Sequence, residues 1–268
     1  MPALLTRDMK LFYETHGAGE PLILIPGFAS GAWTWFCQIE DLAQDFRVIT
    51  FDPRGIGKSK AFEDDLQNLS MQTFVEDVRR ILDALEIEKA HVLGASFGGF
   101  VAQEFALEFP ERVDKLILAC TSAGGKHHVS ADIEILRSFT RNPNYTVGEQ
   151  IRRFFRPAFT EKYHLENAAT VERVCRLREE NEVGELTYSS QLNTAFTFDA
   201  AEKISSIEHE TLVLTGDQDN LVPMPNSLNL AEKLPNATLK IIENGSHIIF
   251  VENASEFNRA VKDFLKQN

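Results

Sequence analysis

The sequence predicts an α/β protein with a doubly wound, mostly parallel sheet and one helical insertion. Three observations support this fold class. Short apolar runs rich in β-branched residues recur along the chain, helical segments lie between them, and residues 124–204 carry helical signals but no strand signals. Repetition of strand, helix and strand in this way produces right-handed crossovers between parallel neighbours.

The strands predicted before the insertion are of two kinds. Residues 10–17 (KLFYETHG) alternate between apolar and polar side chains, which is typical of an antiparallel strand at the edge of a sheet. Buried parallel strands are instead nearly continuous apolar runs. The segments that fit this second description are 21–25 (PLILI), 47–51 (RVITF), 91–95 (HVLGA) and 113–120 (VDKLILAC).

Helices are predicted between these strands and again towards the C-terminus. Ser70 can cap a helix in which apolar residues recur at three- and four-residue spacing as far as Leu85. Residues 100–109 form a second helical segment. After the insertion the alternation resumes with strand 211–215 (TLVLT), helix 227–234, strand 238–242 (TLKII) and an amphipathic helix at 254–266.

Composition narrows the class of ligand and the compartment. The formal net charge is −13 and no segment collects Lys and Arg, so we expect a small-molecule ligand rather than nucleic acid or an anionic membrane. Cys37, Cys120 and Cys175 are too few and too scattered for a disulfide framework. The N-terminal segment lacks the apolar stretch of a signal peptide, and the expected location is the reducing cytoplasm.

The sequence predicts no metal site. His127 and His128 are adjacent, but neighbouring residues rarely bind one ion together. No cluster of carboxylates or cysteines accompanies them, and we therefore expect neither a metal nor an organic cofactor.

The segment Gly94-Ala95-Ser96-Phe97-Gly98 has the pattern G-x-S-x-G, with a buried strand before it and a helix after it. A serine on a sharp strand-to-helix turn has a strained backbone, and residues two positions away must lack bulk so that the chain segments can approach. Gly94 and Gly98 satisfy this requirement. The alternative interpretation is a glycine-rich turn whose serine has no chemical role.

A serine nucleophile requires a base and a group that orients the base. His247 is the best placed histidine, because it follows the last predicted strand in a Gly-Ser loop and precedes the final helix. The acid comes from the loop GDQDNLVP (216–223), which offers both Asp217 and Asp219. All of these residues follow the carboxyl ends of strands, where open α/β sheets bind their ligands.

The order of Ser96, an acid and His247, each after a strand, resembles the α/β-hydrolase superfamily over nearly the whole chain. The resemblance implies an eight-stranded sheet, a core formed by residues 1–123 and 205–268, and a helical cap at 124–204 after the sixth strand. In relatives with a G-x-x-D-x-x-V-P loop the acid lies four residues before the proline, which corresponds to Asp219. Asp217 would then serve the turn, for example by accepting hydrogen bonds from local amides.

The same resemblance implies an oxyanion hole and a structural loop. The oxyanion donors correspond to the backbone N–H groups of Phe97 and of Phe28, in the segment IPGFAS, where Pro26 replaces a frequent histidine. FDPRGIGKS (51–59) resembles the D-x-R-G-x-G-x-S segment of many relatives. Its Asp52 and Arg54 are expected to tie loops together rather than to take part in catalysis.

Residues 124–204 combine many aromatic side chains with many charges. As a cap they would exclude water and shape an apolar pocket, with Phe28 and Phe97 on its floor, although most of these aromatics are expected to form the core of the cap itself. Arg152, Arg153 and Arg156 suggest a carboxylate site, but a solvated helix face is the preferred interpretation.

These observations predict a serine hydrolase that cleaves a small carboxylic ester or lactone through an acyl-enzyme. Within the superfamily the chain most resembles the branch of small esterases and 3-oxoadipate enol-lactonase. Hydrolysis of a carbon–carbon bond in a ring-cleavage dienoate and cofactor-free, haloperoxidase-like perhydrolysis stay open. A ligand receptor or signalling protein that retains the triad is an alternative of another class, and a homodimer is possible.

Overall fold

A computed structural model describes residues 3–5, 9–62, 66–67 and 69–267. Within these residues the centre of the molecule is a nine-stranded mixed sheet. Its strands are β1 (Ala3–Leu5), β2 (Met9–His16), β3 (Glu20–Ile25), β4 (Phe46–Phe51), β5 (Lys60–Ala61), β6 (Ala90–Ala95), β7 (Val113–Ala119), β8 (Thr211–Gly216) and β9 (Ala237–Ile242).

The strand order is β1-β2-β4-β3-β6-β7-β8-β9, and the two-residue β5 pairs with β2. Strands β4, β3, β6, β7, β8 and β9 are parallel, whereas β2 is antiparallel to β1, β4 and β5. The mostly parallel, doubly wound sheet predicted from the sequence is therefore confirmed, with β5 added to the eight strands of the main path. Residues 10–17 form an antiparallel strand as predicted, but the edge position was wrong because β1 pairs with the outer side of β2.

Helices cover both faces of the sheet. They are α1 (Ile39–Leu42), α2 (Met71–Ala84), α3 (Phe97–Glu108), α4 (Ile133–Ser138), α5 (Val147–Phe155), α6 (Glu161–Glu166), α7 (Ala168–Glu180), α8 (Glu185–Thr197), α9 (Pro225–Lys233), α10 (Ile249–Glu252) and α11 (Ala254–Leu265).

Alternate residues of each central strand enter different cores, as the two-residue repeat of a strand requires. Ile23 and Ile25 of β3 pack in one core with side chains of α2, α3 and α9. Leu22 and Leu24 pack in the other with side chains of α1 and α11. Because both faces are covered, all six positions of β6 and of β8 are buried, which explains why most of their residues are apolar.

The predicted helix starts differ in accuracy. Ser70 caps α2 as predicted, since its hydroxyl accepts a hydrogen bond from the N–H of Thr73 at 3.3 Å. Helix α3 begins at Phe97 rather than at residue 100. The two glycines after Phe97 suggested a turn, but the helix includes them because their missing side chains let it approach the sheet.

Residues 124–204 lie between β7 and β8 and contain helices α4 to α8. An antiparallel bridge between Gly124 and Asp199 joins the two ends of this segment, and the N–H of Ala200 donates to the carbonyl of Ala123 at 2.9 Å. The segment therefore leaves the sheet and returns to it at neighbouring points. In the described part of the chain, no helix combines the length and the apolar character needed to cross a membrane.

We expect Gly98→Ala to lower the free energy of unfolding by about 3 kcal/mol, because an added Cβ would lie 2.6 Å from the carbonyl oxygen of Pro26 and closer still to that of Ile25. Gly184→Ala is the matched control. In the described part of the chain, no atom beyond its chain neighbours lies within 4 Å of the position of its Cβ, and we expect a change within about 1 kcal/mol. Urea unfolding of both variants measures the difference, and equal stabilities would contradict the close approach of α3 to β3.

Candidate active site

Ser96 occupies the turn between β6 and α3 with φ 55° and ψ −120°. A side chain in this region of φ is strained, typically by about 1–3 kcal/mol, and persists only when its surroundings hold it. Here the Ser96 N–H donates to the carbonyl of Ala119 at 2.8 Å. The Ser96 carbonyl accepts from the N–H of Gly99 at 2.8 Å and from Oγ1 of Thr121 at 2.9 Å. The turn is thus tied to β7 and to the chain that follows it.

The glycines around Ser96 have the steric role that the motif predicts. A Cβ on Gly94 would lie 2.8 Å from Cβ of Ala102 and would overlap the Gly98 carbonyl. A Cβ on Gly99 would lie 2.6 Å from Cβ of Thr121. The strand and the helix therefore cross at a distance that only glycine permits.

His247 and Asp219 form a buried pair. Nδ1 of His247 lies 2.8 Å from Oδ2 and 3.0 Å from Oδ1 of Asp219, and the Asp219 side chain is fully buried. Oδ1 also accepts hydrogen bonds from the N–H groups of Leu221 at 2.9 Å and Val222 at 2.8 Å. These contacts hold the carboxylate in one orientation. They also orient the imidazole, because its Nδ1 faces Asp219 and its Nε2 does not contact the acid.

Asp217 differs from the sequence-based expectation. Its side chain is exposed, and the hydrogen bonds to local amides that we expected from it are made by Asp219. One carboxylate therefore both orders the loop after β8 and contacts the histidine.

Ser96 and His247 line the same cavity, which has a volume of about 70 Å³ and which we call the Ser96–His247 cavity. Ser96 and Phe198 also line a second cavity, of about 480 Å³. The structure thus brings Ser96 and His247 to one cavity and joins His247 to Asp219.

Phe28 and Phe97 also lie beside Ser96. Phe97 is the first residue of α3, where backbone N–H groups have no acceptor within the helix. Phe28 lies in a turn in which the N–H of Ser30 donates to the carbonyl of Gly27 at 3.2 Å. That loop passes close to the serine, since a Cβ on Gly27 would lie 3.5 Å from Cβ of Ser96. The two backbone segments predicted to supply oxyanion donors therefore flank Ser96.

The peptide group between Phe28 and Ala29 is held at both ends. Its carbonyl oxygen accepts from Oγ of Ser30 at 3.2 Å, and its N–H donates to Oε1 of Gln191 at 2.6 Å. Ala29 has φ 53°, a value suited to the third position of a type II turn, where glycine is usual. Gln191 thus stabilises a turn that its own residues do not favour.

Sequence reasoning missed Gln191. It belongs to α8, and its side chain is completely buried against the loop that carries Phe28. The available signal was a set of polar residues at helical spacing, Thr187, Gln191 and Thr194, all of which are buried. Thr194 donates from Oγ1 to the Leu69 carbonyl at 3.0 Å, so this helix face bonds to core loops rather than to water.

Asp52 and Arg54 have the structural roles predicted for them. Asp52 accepts the N–H of Ala32 and the N–H of Lys58, each at 2.8 Å, and burial raises the pKa of its carboxyl group. Arg54 forms a buried ion pair with Asp77. Asp52 connects loops, Arg54 connects its loop to helix α2, and neither residue lines the cavities that contain Ser96.

Three arginines suggested a carboxylate site in the sequence, and all three lie on the surface: Arg152, Arg153 and Arg156. Arg152 pairs with Glu172 at 2.5 Å and with Glu179 at 2.7 Å, and Arg156 pairs with Glu161 at 3.0 Å. The guanidinium of Arg153 lies 4.5 Å from the centre of the Tyr145 ring. These contacts agree with the solvated face that we preferred over a carboxylate site.

Cys120, Asp219 and His247 have potential metal-ligand atoms within 4.8 Å of one another. Burial, reinforced by the nearby Asp219 charge, raises the pKa of the Cys120 thiol well above its usual value. A metal would need the thiolate, and Nδ1 of His247 already bonds to Asp219. The three residues therefore fit a hydrogen-bonded cluster better than a metal centre. His128, for its part, bonds through Nδ1 to Oγ of Ser122 at 3.1 Å.

Comparison with known proteins gives consistent results. A family model described as the alpha/beta hydrolase fold matches residues 20–254. A candidate carbamate hydrolase, RutD, from Azorhizobium caulinodans is 31% identical over 98% of this chain and 98% of its own. The 2-hydroxymuconate semialdehyde hydrolase of Pseudomonas sp. strain CF600 is 31% identical over 98% of this chain and 93% of its own.

A solved structure gives the same fold. The enol-lactonase of Burkholderia xenovorans LB400 has a TM-score of 0.86 and covers 99% of this chain and 100% of its own, with 22% identity. At this identity the likeness concerns the fold alone.

We expect Gln191→Leu to lower the free energy of unfolding by about 1–3 kcal/mol, because it leaves the buried N–H of Ala29 without an acceptor. Ser189→Ala on the same helix is the control, since the Ser189 side chain is exposed and, of the residues described, its hydroxyl bonds only to Glu185 of its own helix. Its effect should stay within about 0.5 kcal/mol. Urea unfolding distinguishes the two, and a Gln191→Leu protein as stable as the control would show that the contact does not stabilise the turn.

Proposed function

Because the chain belongs to the α/β-hydrolase family, we propose that it is a serine hydrolase that cleaves a small carboxylic ester or lactone through an acyl-enzyme. The observation that carries this proposal is the buried His247–Asp219 pair beside a cavity that Ser96 shares. A hydroxyl, an imidazole and a carboxylate in this order are the parts that nucleophilic acyl transfer requires.

In the proposed mechanism, Oγ of Ser96 attacks the substrate carbonyl while Nε2 of His247 removes the hydroxyl proton. The histidine then gives this proton to the leaving alcohol, and the acyl group stays on Ser96. A water molecule, deprotonated by His247, releases the acid and restores the serine. Asp219 holds the imidazole through Nδ1 and stabilises its charged form.

The charge that forms on the carbonyl oxygen needs donors that are already in place. We assign this role to the backbone N–H groups of Phe28 and Phe97, which flank Ser96. The hydrogen bonds of the next peptide group, between Phe28 and Ala29, support this assignment, because they hold the turn that carries the Phe28 N–H. A donor on a fixed turn costs little reorganisation during the reaction.

We further propose that residues 124–204 act as a cap over the reacting groups. The Phe28 ring lies 6.0 Å from the ring of Phe139, 6.4 Å from that of Phe154 and 4.8 Å from that of Tyr188. These three residues belong to the helical segment, so its aromatic side chains close over the Phe28 loop. Such a wall excludes water and favours an apolar acyl or alcohol group.

Hydrolysis of a carbon–carbon bond is the second candidate. It is favoured by the 31% identity, over nearly the full length, with a 2-hydroxymuconate semialdehyde hydrolase. A panel of esters, lactones and ring-cleavage dienoates separates the candidates, and the substrate class with the highest kcat/KM identifies the reaction. Absence of turnover on the whole panel, with Ser96 still reactive towards a probe, would instead support a ligand receptor.

We expect Ser96→Ala and His247→Ala each to reduce kcat by about 10⁴-fold or more on the best substrate of that panel, because each removes an atom that the proton transfer needs. A fluorophosphonate probe should label the wild-type protein and not Ser96→Ala. Wild-type turnover by Ser96→Ala would overturn the mechanism.

We expect Asp219→Asn to lower kcat by about 10³–10⁴-fold. The asparagine amide can donate a hydrogen bond to Nδ1 of His247, which puts the proton on Nε2, where the base must be unprotonated to accept the serine proton. Asp217→Asn is the matched control two residues away, where the exposed side chain does not contact the histidine, and its kcat should change less than about twofold. Steady-state kinetics of the two variants decide the assignment. A larger loss at position 217 would assign the acid to Asp217.

A further inference from the structure

A third cavity, of about 380 Å³, lies within the helical segment and reaches the Phe28 loop. We call it the Arg178 cavity. Its walls include the apolar side chains of Phe154 and Phe155 from α5 and of Tyr188 from α8, and Arg178 of α7 also lines it. A cavity of this size can hold a small organic molecule.

Arg178 is 7% exposed, and its one hydrogen bond to the described chain runs from Nη1 to the carbonyl of Asn181 at 3.1 Å. Among the described residues no carboxylate lies within ion-pair distance of it. Arg54 is equally buried but pairs with Asp77 at 2.5 Å. A guanidinium has five N–H donors and nearly always has an acceptor for several of them when buried.

Burial without a counter-charge is costly for a cation. Its effect here is to lower the pKa of Arg178 to about 10, with Arg141 also acting in that direction. An anion placed against Arg178 would offset this cost. Arg178 is therefore a buried positive charge that the carboxylate of an acidic ligand could neutralise.

The other charged groups of the cavity do not fill that position. Arg141 pairs with Glu185 at 2.8 Å and its guanidinium lies 4.3 Å from the centre of the Tyr188 ring. Glu182 lines the cavity with an exposed side chain, near enough to act on Arg178 through its charge but not in contact with it. The negative charge of Glu182 favours a monoanion such as a carboxylate over a doubly charged phosphate.

The Arg178 cavity adjoins the Ser96–His247 cavity. Phe28, Phe154 and Phe155 line both of them, so these three rings form the wall between the cavities. A ligand in the Arg178 cavity therefore has an apolar body against these rings and its charged end at Arg178.

We propose that the Arg178 cavity binds the carboxylate of a ligand with an apolar body, with Arg178 as the group that recognises the anion. The carboxylate can belong to the far end of the substrate or to a separate molecule. The first of these two sources rests on the proposed function, whereas binding itself does not.

The direct test is calorimetric binding of 4-phenylbutyrate and of its neutral amide to the Ser96→Ala protein. We expect the carboxylate to bind at least about tenfold more tightly than the amide, as a charged hydrogen-bonded pair requires. Adding Arg178→Met should remove this preference, and Arg178→Lys should retain part of it because the lysine keeps the charge without the planar fork. Equal binding of acid and amide, or an unchanged preference in Arg178→Met, would overturn the proposal.

Two further variants test whether charge controls carboxylate binding and whether the arginine must lie in the cavity. Glu182→Gln removes the opposing charge and should strengthen carboxylate binding severalfold. Arg152→Met also removes one arginine from the helical segment, but that arginine is on the surface and paired with Glu172 and Glu179, so binding should not change. Circular dichroism of Arg178→Met establishes that the variant is folded, and methionine is a suitable replacement because a buried charge can give way to an apolar side chain of similar length.

Kinetics distinguish the two sources of the carboxylate. An aryl hemisuberate and the aryl octanoate of equal chain length differ at the far end of the acyl group. If the substrate supplies the carboxylate, Arg178→Met lowers kcat/KM about tenfold or more for the hemisuberate and leaves that for the octanoate unchanged. If a separate molecule supplies it, neither ester is affected while the binding preference persists. Failure of both esters to react would count against the proposed function alone.

Discussion

The turn at Ser96 is the constraint on which the rest of the site depends. A serine with φ 55° is unfavourable in isolation. Here its N–H bonds to Ala119, and its carbonyl accepts from Gly99 and Thr121. The same turn brings α3 so close to β6 that Gly94 cannot carry a Cβ, and so close to the end of β3 that Gly98 cannot. The parallel sheet supplies the rigid support, and Ser96 lines one cavity with residues of the loops that follow β8 and β9.

A second turn is held from outside the core. Ala29 has a backbone conformation that favours glycine, and the acceptor for its N–H is Gln191, 162 positions later in the chain. Because the side chains of Gln191 and Thr194 both bond to core loops, helix α8 is joined to the core by buried polar contacts rather than by apolar packing alone. Such contacts are directional, so the helical segment fixes the geometry of the turn beside Ser96.

The sequence predicts those features that depend on residues close together in the chain. The central parallel strands were recognisable because burial on both faces makes most of their residues apolar, and Ser96 was recognisable because its neighbours must be glycine. His247 was singled out by its position after a strand, whereas that position left both Asp217 and Asp219 open and the resemblance of the loop to G-x-x-D-x-x-V-P selected Asp219. The hydrogen bond between His247 and Asp219 agrees with this choice. Strand β1 was missed because it is only three residues long, too short for a periodic pattern. Gln191 was missed because its contact lies 162 positions away in the chain, which no local pattern encodes. Arg178 was missed for a related reason. A charged residue in a polar helix is expected at the surface, and only the packing of α5, α7 and α8 shows that this one is buried.

The residues around Ser96 and the walls of the cavities come from different parts of the chain. His247 and Asp219 lie in loops at the carboxyl ends of β9 and β8, and Ser96 follows β6. Two relatives of equal identity are named for different substrates, one for a carbamate and the other for 2-hydroxymuconate semialdehyde. A fold of this kind can serve several reactions, so under the proposed function the choice of substrate falls to the cavity walls. In this chain those walls belong mainly to residues 124–204, whose aromatic side chains face Phe28 and whose Arg178 is buried without a carboxylate partner in the described structure. Because Phe28 belongs both to the wall of the Arg178 cavity and to the loop beside Ser96, a ligand that fills that cavity contacts the same turn that Gln191 holds in place.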